Sequence, residues 1–292
     1  MKQKNAGRLF ESLNITLLFI LAVLCLAPLL HIVSLSLSSG TEITSGRVTI
    51  FPRGFNIESY QQMLQDVSMF RSLLFTVVLT VTFTVLCMLM TILAAYPLTK
   101  KGLKGRKFIL YFIVLTMYFG GGVIPDYMLT KGLHLLNSMW ALILPGLISP
   151  FYMIIMMSFF RSIPQGLEEA AEIDGASFNG ILMRIILPLS VPVLVTLSLF
   201  YAVGRWNGFS DSLYYITDPK LYPLQLKLYQ IVMNSMLVGQ DAAERLSQLE
   251  NPILPESLKA ASIIFSIVPI VIVYPWLQKY FVTGTMLGSV KE

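Results

Sequence analysis

FRSLLFTVVLTVTFTVLCMLMTILAAYPL, residues 70–98, runs directly into TKKGLKGRKF, residues 99–108. The first segment carries a single charge, Arg71, close to its start. About 20 apolar residues in a helix cross the ~30 Å hydrocarbon core of a bilayer, so this segment is long enough to span it. The second segment holds Lys100, Lys101, Lys104, Arg106 and Lys107 and no acid. Such an excess of basic residues marks a loop on the cytoplasmic side. Together they predict a spanning helix that ends in the cytoplasm.

Five more runs of the same character flank this one: Leu13–Leu37, Phe108–Leu129, Met139–Phe160, Ile185–Trp206 and Ala260–Val282. In lipid, every backbone polar group needs a partner, which leaves helices or a closed barrel. Long continuous apolarity without alternation excludes the barrel. The expectation is an all-α polytopic membrane protein with six transmembrane helices. Composition agrees: of 292 residues, 55% are hydrophobic and 13% charged, with mean hydropathy +0.71, whereas soluble proteins carry about 25% charged residues. The net charge of +5 therefore concerns orientation in the membrane, and no nucleic-acid partner is expected.

Lys2, Lys4 and Arg8 precede the first run in the manner of a signal peptide. That run is too long for a signal core and no small-x-small site comes after it, so an uncleaved first span is predicted. Six spans then put both termini and the loop between the fourth and fifth spans in the cytoplasm. The outer side receives residues 38–69, a turn near Lys131, and a long loop at 207–259 that is polar enough to form small helices. Residues 1–69 thus comprise the N-terminus, first span and outer loop, 70–282 a transmembrane core, and 283–292 a cytoplasmic tail. Cys25 and Cys87 sit in apolar runs, where a thiol behaves as a small hydrophobe.

Pro28, Pro97, Pro145, Pro188, Pro192, Pro269 and Pro275 fall within spans or at their ends. They read as kinks tolerated through neighbouring helices. Gly120, Gly121 and Gly122 before Pro125 favour a broken or flexible helix, and lipid tolerates a break only where it lines a protein-walled cavity.

Residues 161–177, RSIPQGLEEAAEIDGAS, differ in kind from the apolar sequence around them. Ser162, Pro164 and Gln165 make a helix start, with Ser162 as its cap and Gln165 three residues on, and Glu168 and Glu169 suit its positive N-terminal end. Ala170 and Ala171 add almost no bulk, Gly175 can end the helix in a left-handed conformation, and Ser177 can cap a second short helix. The composition fits either a small-faced helix that enters a partner's groove or a solvated connector.

Glu169-Ala170-Ala171, Gly175 and Ile185-x-Leu187-Pro188 reproduce the EAA-x3-G-x9-I-x-L-P pattern at all seven fixed positions. The chain thereby resembles the permease subunits of ABC importers, and the resemblance implies the type-1 permease fold for residues 70–282, with a coupling loop at 161–188. It also implies that Glu168, Glu169, Ala170, Ala171, Asp174 and Gly175 contact an ATP-binding subunit. The extended form from Glu168 to Ser177 looks like the carbohydrate-uptake branch, similar to the second permease of the maltose importer. Gly120–Pro125, Trp140–Pro145, Tyr201–Asn207 and Leu221–Gln225 are closer still to its LplC/YtcP-like oligosaccharide permeases. The resemblance implies alternating access in a bacterial cytoplasmic membrane. The implied partners are a second permease in a heterodimer, two ATP-binding subunits and an extracellular or periplasmic sugar-binding protein.

The chain contains no Gly-x4-Gly-Lys-Ser/Thr phosphate loop, so ATP hydrolysis by this subunit is not expected. His31 and His134 are isolated, and no metal or other cofactor is expected. Away from their ends the spans contain almost no ionisable groups, and Arg205 and Asp126 lie near predicted outer boundaries, which argues against a proton-coupled porter or a membrane enzyme. An importer of amino acids, polyamines or phosphate shares the EAA pattern and stays open. Tyr118, Tyr201, Trp206 and Asn207 near outer helix ends suit either sugar contact or an interfacial aromatic belt. Asp211, Tyr214 and Tyr215 are candidates for touching a docked binding protein.

Overall fold

The computed structural model describes residues 2–237 and 254–286, and these are predominantly helical, with one isolated bridge between Ser38 and Phe55. Three single helices are long and apolar enough to cross a membrane: α1 (Lys2–Ser36), α4 (Val67–Thr99) and α15 (Pro255–Met286). Three bent pairs pass the same test. They are α5 (Arg106–Tyr118) with α6 (Val123–Gly132), the Met139–Gly146 segment with α8 (Pro150–Ser162), and the Phe178–Leu189 segment with α12 (Val191–Asn207). With each pair as one span, the described residues hold six helical segments able to cross a membrane, the number predicted.

The bends have local causes. Phe119 turns extended, at φ −120° and ψ 97°, and ends α5; Gly122, at φ +88°, then opens α6 at an angle of 115° to it, a φ that only glycine adopts without steric cost. After α7 (Met139–Ile143) comes a 3₁₀ turn at Leu144–Gly146. Ser149 then caps α8 by accepting from the Tyr152 N–H, and the pair bends by 51°. Between α10 (Phe178–Ile181) and α11 (Leu187–Leu189), residues Leu182–Ile186 widen into a π turn. A break at Ser190 before Pro192 bends this pair by 81°. Proline removes an N–H from the ladder, so the bend falls where that bond is already missing. Pro28 and Pro97, by contrast, lie inside helices that continue past them.

The chain divides into two compact units. In the unit of residues 1–70 and 227–270, the segment after α1 folds back on it. Asn56 N donates to Leu37 O at 2.9 Å and His31 Nδ1 donates to Thr49 O at 2.7 Å, flanking α2 (Gly40–Thr44). At the start of α3 (Glu58–Gln65), Ser59 Oγ donates to Ser257 Oγ at 2.9 Å. Among the described residues, nothing buries the apolar window of α1.

The unit of residues 71–226 and 271–292 holds the main core. Cys87, Ala95 and Tyr96 of α4 pack with Met153, Met156 and Phe160 of α8, Ile181 and Ile186 of the Phe178–Leu189 segment, and Leu197 and Tyr201 of α12. Between helices in lipid the drive is close van der Waals packing, which small residues permit. Gly146 shows this, because a Cβ there would lie 3.0 Å from the Phe83 ring.

Candidate functional site

The acidic loop joins α8 to the Phe178–Leu189 segment, and both belong to the main core. Its helix, α9, runs over Gln165–Ile173. The start differs from the expected serine cap. Ser162 closes α8, its hydroxyl donating to Phe159 O at 2.7 Å, and Pro164 occupies the cap position of α9. Pro164 holds Ile163 extended, at φ −69° and ψ 131°, so α8 cannot run on and α9 begins after the proline.

The end of α9 matches expectation. Gly175 has φ +80°, its N–H bonds Glu172 O at 3.0 Å, and the Ala176 N–H bonds Ala171 O at 2.9 Å. These two bonds make a Schellman cap, which needs a left-handed residue at the glycine position. Ser177 then caps α10, its hydroxyl accepting from the Gly180 N–H at 3.2 Å.

The expected contact residues fall on two faces. Ala171 packs on the core, and Glu168 turns back to pair with Lys100, the first residue after α4. Glu169, Ala170, Asp174 and Gly175 are exposed. Leu167 and Ile173 join Ala170 on the outward side at helical spacing, and Ile173 is 87% exposed. Neither Leu167 nor Ile173 is among the contact residues that the resemblance implies, although the i, i+3, i+6 spacing of Leu167, Ala170 and Ile173 is a signal present in the sequence. Thr99, Lys100, Arg161, Glu168, Glu169 and Glu172 help line a cavity of about 280 Å³ behind the helix. Burial alone would pull the Lys100 ammonium below its ordinary 10.5, but its hydrogen bond to Glu168 and the carboxylate's charge outweigh it and hold the pKa above that value.

At the other end of the core, Tyr201, Tyr152, Phe83, Ser149, Arg205 and Asp211 contribute to a cavity of about 380 Å³. Tyr201 is buried, its hydroxyl 2.8 Å from Thr91 Oγ1 and accepting from the Ser149 N–H, while an edge of its ring meets Tyr152 at 4.7 Å. Trp206 is buried outside this lining, and Asn207 is exposed at the helix end. Tyr118 lies elsewhere, 79% exposed beside Tyr111 and Phe112 of α5. Only Tyr201 of those four therefore lines the cavity. Of the three residues considered for a docked protein, Tyr214 is exposed, Tyr215 is buried against Tyr127, and Asp211 is engaged by Arg205.

Arg205 reads in the sequence as a boundary residue and is in fact the centre of a clamp. Its Nη2 donates to Asp211 Oδ1 at 2.9 Å and to Gly208 O at 3.2 Å. Its Nη1 donates to the second Asp211 oxygen and to Leu142 O at 3.1 Å. A Cβ on Gly208 would come within 3.3 Å of Arg205 Nη2, so a glycine there leaves room for the guanidinium.

A family model described as "Binding-protein-dependent transport system inner membrane component" matches residues 72–286. The chain is 40% identical over 292 residues to the protein LplC of Bacillus subtilis (strain 168), covering 100% of this chain and 98% of that protein. It is 39% identical over 285 residues to the polygalacturonan/rhamnogalacturonan transport system permease protein YtcP of the same organism, covering 98% and 99%. Among solved structures, one chain of a bacterial ABC transporter involved in the import of the acidic polysaccharide alginate superposes with a TM-score of 0.87. That chain is 33% identical, and the match covers 94% of this chain and 98% of that one. Six helical spans, the capped acidic loop held between two of them and these likenesses agree: the chain belongs to the family of binding-protein-dependent transport system inner membrane components.

Proposed function

We propose that the chain is the permease half of a bacterial ATP-driven importer of an oligosaccharide, which an extracellular binding protein delivers. Two separate ATP-binding subunits drive it, gripping α9 and its flanking turn. The observation that carries this reading is the outward face of α9. Leu167, Ala170 and Ile173 present apolar surface left exposed among the described residues, most fully at Ile173, and framed by Glu169 and Asp174. An exposed apolar helix face with carboxylates at its rim suits a groove lined by apolar and basic side chains. Both ends of α9 lead into helices of one packed core, so a pull on the loop is delivered to that core instead of being absorbed by a slack connection. In this reading both termini and the loop lie in the cytoplasm, as the basic residues at 100–107 require.

A second permease supplies the other half of the pathway. The backbone at residues 120–122 is exposed along a bent span. Hydrocarbon cannot satisfy its polar groups, so a neighbouring protein wall or a water-filled path must. Oligosaccharide is the favoured cargo class because both YtcP and the alginate importer are named for polysaccharides. The cavity beside Tyr201 is also lined by Tyr152 and Phe200, which are partly exposed and offer aromatic surface of the kind that suits a sugar.

The test is the double variant Ala170→Asp/Gly175→Arg, which puts charge and bulk into the outward contact. Membrane insertion should persist, while the ATP-binding subunit no longer copurifies and uptake of a labelled oligogalacturonide is lost. Full copurification together with wild-type uptake would sink the coupling assignment.

A further inference from the structure

Lys100 ties together segments that the chain itself does not join. It comes directly after α4, and its ammonium pairs with Glu168 of α9, 68 positions away. The same ammonium lies 4.6 Å above the ring centroid of Tyr96 in α4 and 5.2 Å from that of Phe178 in α10. Tyr96 in turn meets the ring of Phe160 in α8 at 6.2 Å, edge-on. One cation therefore stands where α4, α9 and α10 converge, with α8 directly behind. The ion pairs of the described residues include Lys100 and none of the four other cations of its loop.

The geometry points to Lys100 as a positioning residue that fixes the rotation of α9 and makes the end of α4 move with it when the ATP-binding subunits close. This rests on the proposed coupling role of α9 and adds a second route to it. The covalent links of α9 reach only α8 and α10; the Lys100–Glu168 pair adds α4. It also assigns Glu168 a different task from Glu169. With Glu168 turned inward, Leu167, Ala170 and Ile173 face out, whereas a free Glu168 would leave the small Ala171 contact with the core to set the rotation of α9. A partly exposed pair of this kind adds little stability, and the two aromatic faces hold the cation at one point of the joint. Its contribution is one of direction.

Hydrogen exchange on the purified transporter complex in lipid nanodiscs tests this without knowledge of the cargo. Trapping with ATP, Mg²⁺ and vanadate should change amide protection in the wild type both along α9 and at the end of α4, residues 96–100. Lys100→Gln and Glu168→Gln should keep the response in α9 and lose most of it in α4. Lys100→Arg, which keeps a cation over the two rings and a donor for Glu168, should restore it. A full α4 response in Lys100→Gln overturns the proposal. So does a loss of the α9 response in Glu168→Gln that Lys100→Gln does not share, because Glu168 would then be docking on the partner. An α9 that fails to respond in the wild type is a different result, which removes the coupling role beneath it.

Discussion

Arg205 and Lys100 each place a cation at the end of a long helix in the same packed unit, and the two are held by different means. Arg205 is 6% exposed at its side chain, paired with both oxygens of Asp211 and bonded to two backbone carbonyls. Its guanidinium also sits 5.8 Å from the Phe83 ring. Lys100 is 17% exposed, meets one carboxylate, and otherwise rests on ring faces. A planar fork with several fixed acceptors determines an orientation by itself, whereas an ammonium on a four-carbon stem fixes a single point of contact and can travel with its partner. The difference between the two ends is that between a frame and a joint, which is what a core needs if one end receives a pull and the other must hold the bends of α8 and α12.

The largest effect should come from breaking the frame. Arg205→Ala leaves Asp211 without its partner and strips the Leu142 carbonyl of its donor, and should cost about 3 kcal/mol, the scale for one-sided loss of a buried pair. Thermal unfolding of the purified complex measures it, and Arg205→Lys should fall between that variant and wild type because an ammonium cannot reproduce the fork. A wild-type melting temperature in Arg205→Ala would show that the clamp carries no structural load. Next in size is the packing under the clamp. Gly146→Ala pushes a methyl to 3.0 Å from the Phe83 ring and should cost about 1–3 kcal/mol by overpacking. Adding Phe83→Leu should recover part of that loss in the same melting assay, since the smaller side chain makes room.

How far the sequence alone reaches divides along similar lines. Six apolar runs and one basic loop are enough for the spans, because lipid imposes length and apolarity on each segment separately. Gly175 and Ser177 are legible as caps, since a cap is decided within a few residues. Ser162 misleads because serine three residues ahead of glutamine satisfies a local rule, yet Pro164 between them decides where α9 starts. The bends at residues 144–150 and at Ser190 look like tolerated prolines, because the runs are as apolar through the breaks as on either side. The inward turn of Glu168 and the role of Arg205 are out of reach. The first depends on Lys100, 68 residues away, and the second on the chain reversing at Gly208 and on a carbonyl at Leu142. Pairings of this kind are properties of the packed bundle and leave no local pattern.

At the joint, effects on stability should be smaller and effects on movement larger. Gly175→Ala forces a Cβ into the left-handed region and should cost about 1 kcal/mol, felt locally. Faster hydrogen exchange at Asp174, Gly175 and Ala176, with an unchanged melting temperature for the complex, is the expected result. Gly175→Asn should be milder, since asparagine tolerates that conformation. Global melting lowered as far as in Arg205→Ala would mean that the loop is part of the frame.

Lys100→Gln should have the smallest thermodynamic effect, below about 1 kcal/mol, as for other partly exposed pairs. Its pH behaviour sharpens the contrast with the clamp. The Lys100 pKa in the folded protein lies above the ordinary 10.5, so the pair's contribution is complete below that ordinary value and is lost only as pH rises through the higher folded one. Melting temperatures of wild type and Lys100→Gln measured from about pH 7 to about pH 9 should therefore differ by a small, constant amount. A gap that closes over that range would mean that Lys100 sheds its proton near neutrality, and a joint built on its charge would then fail under the conditions in which the transporter works.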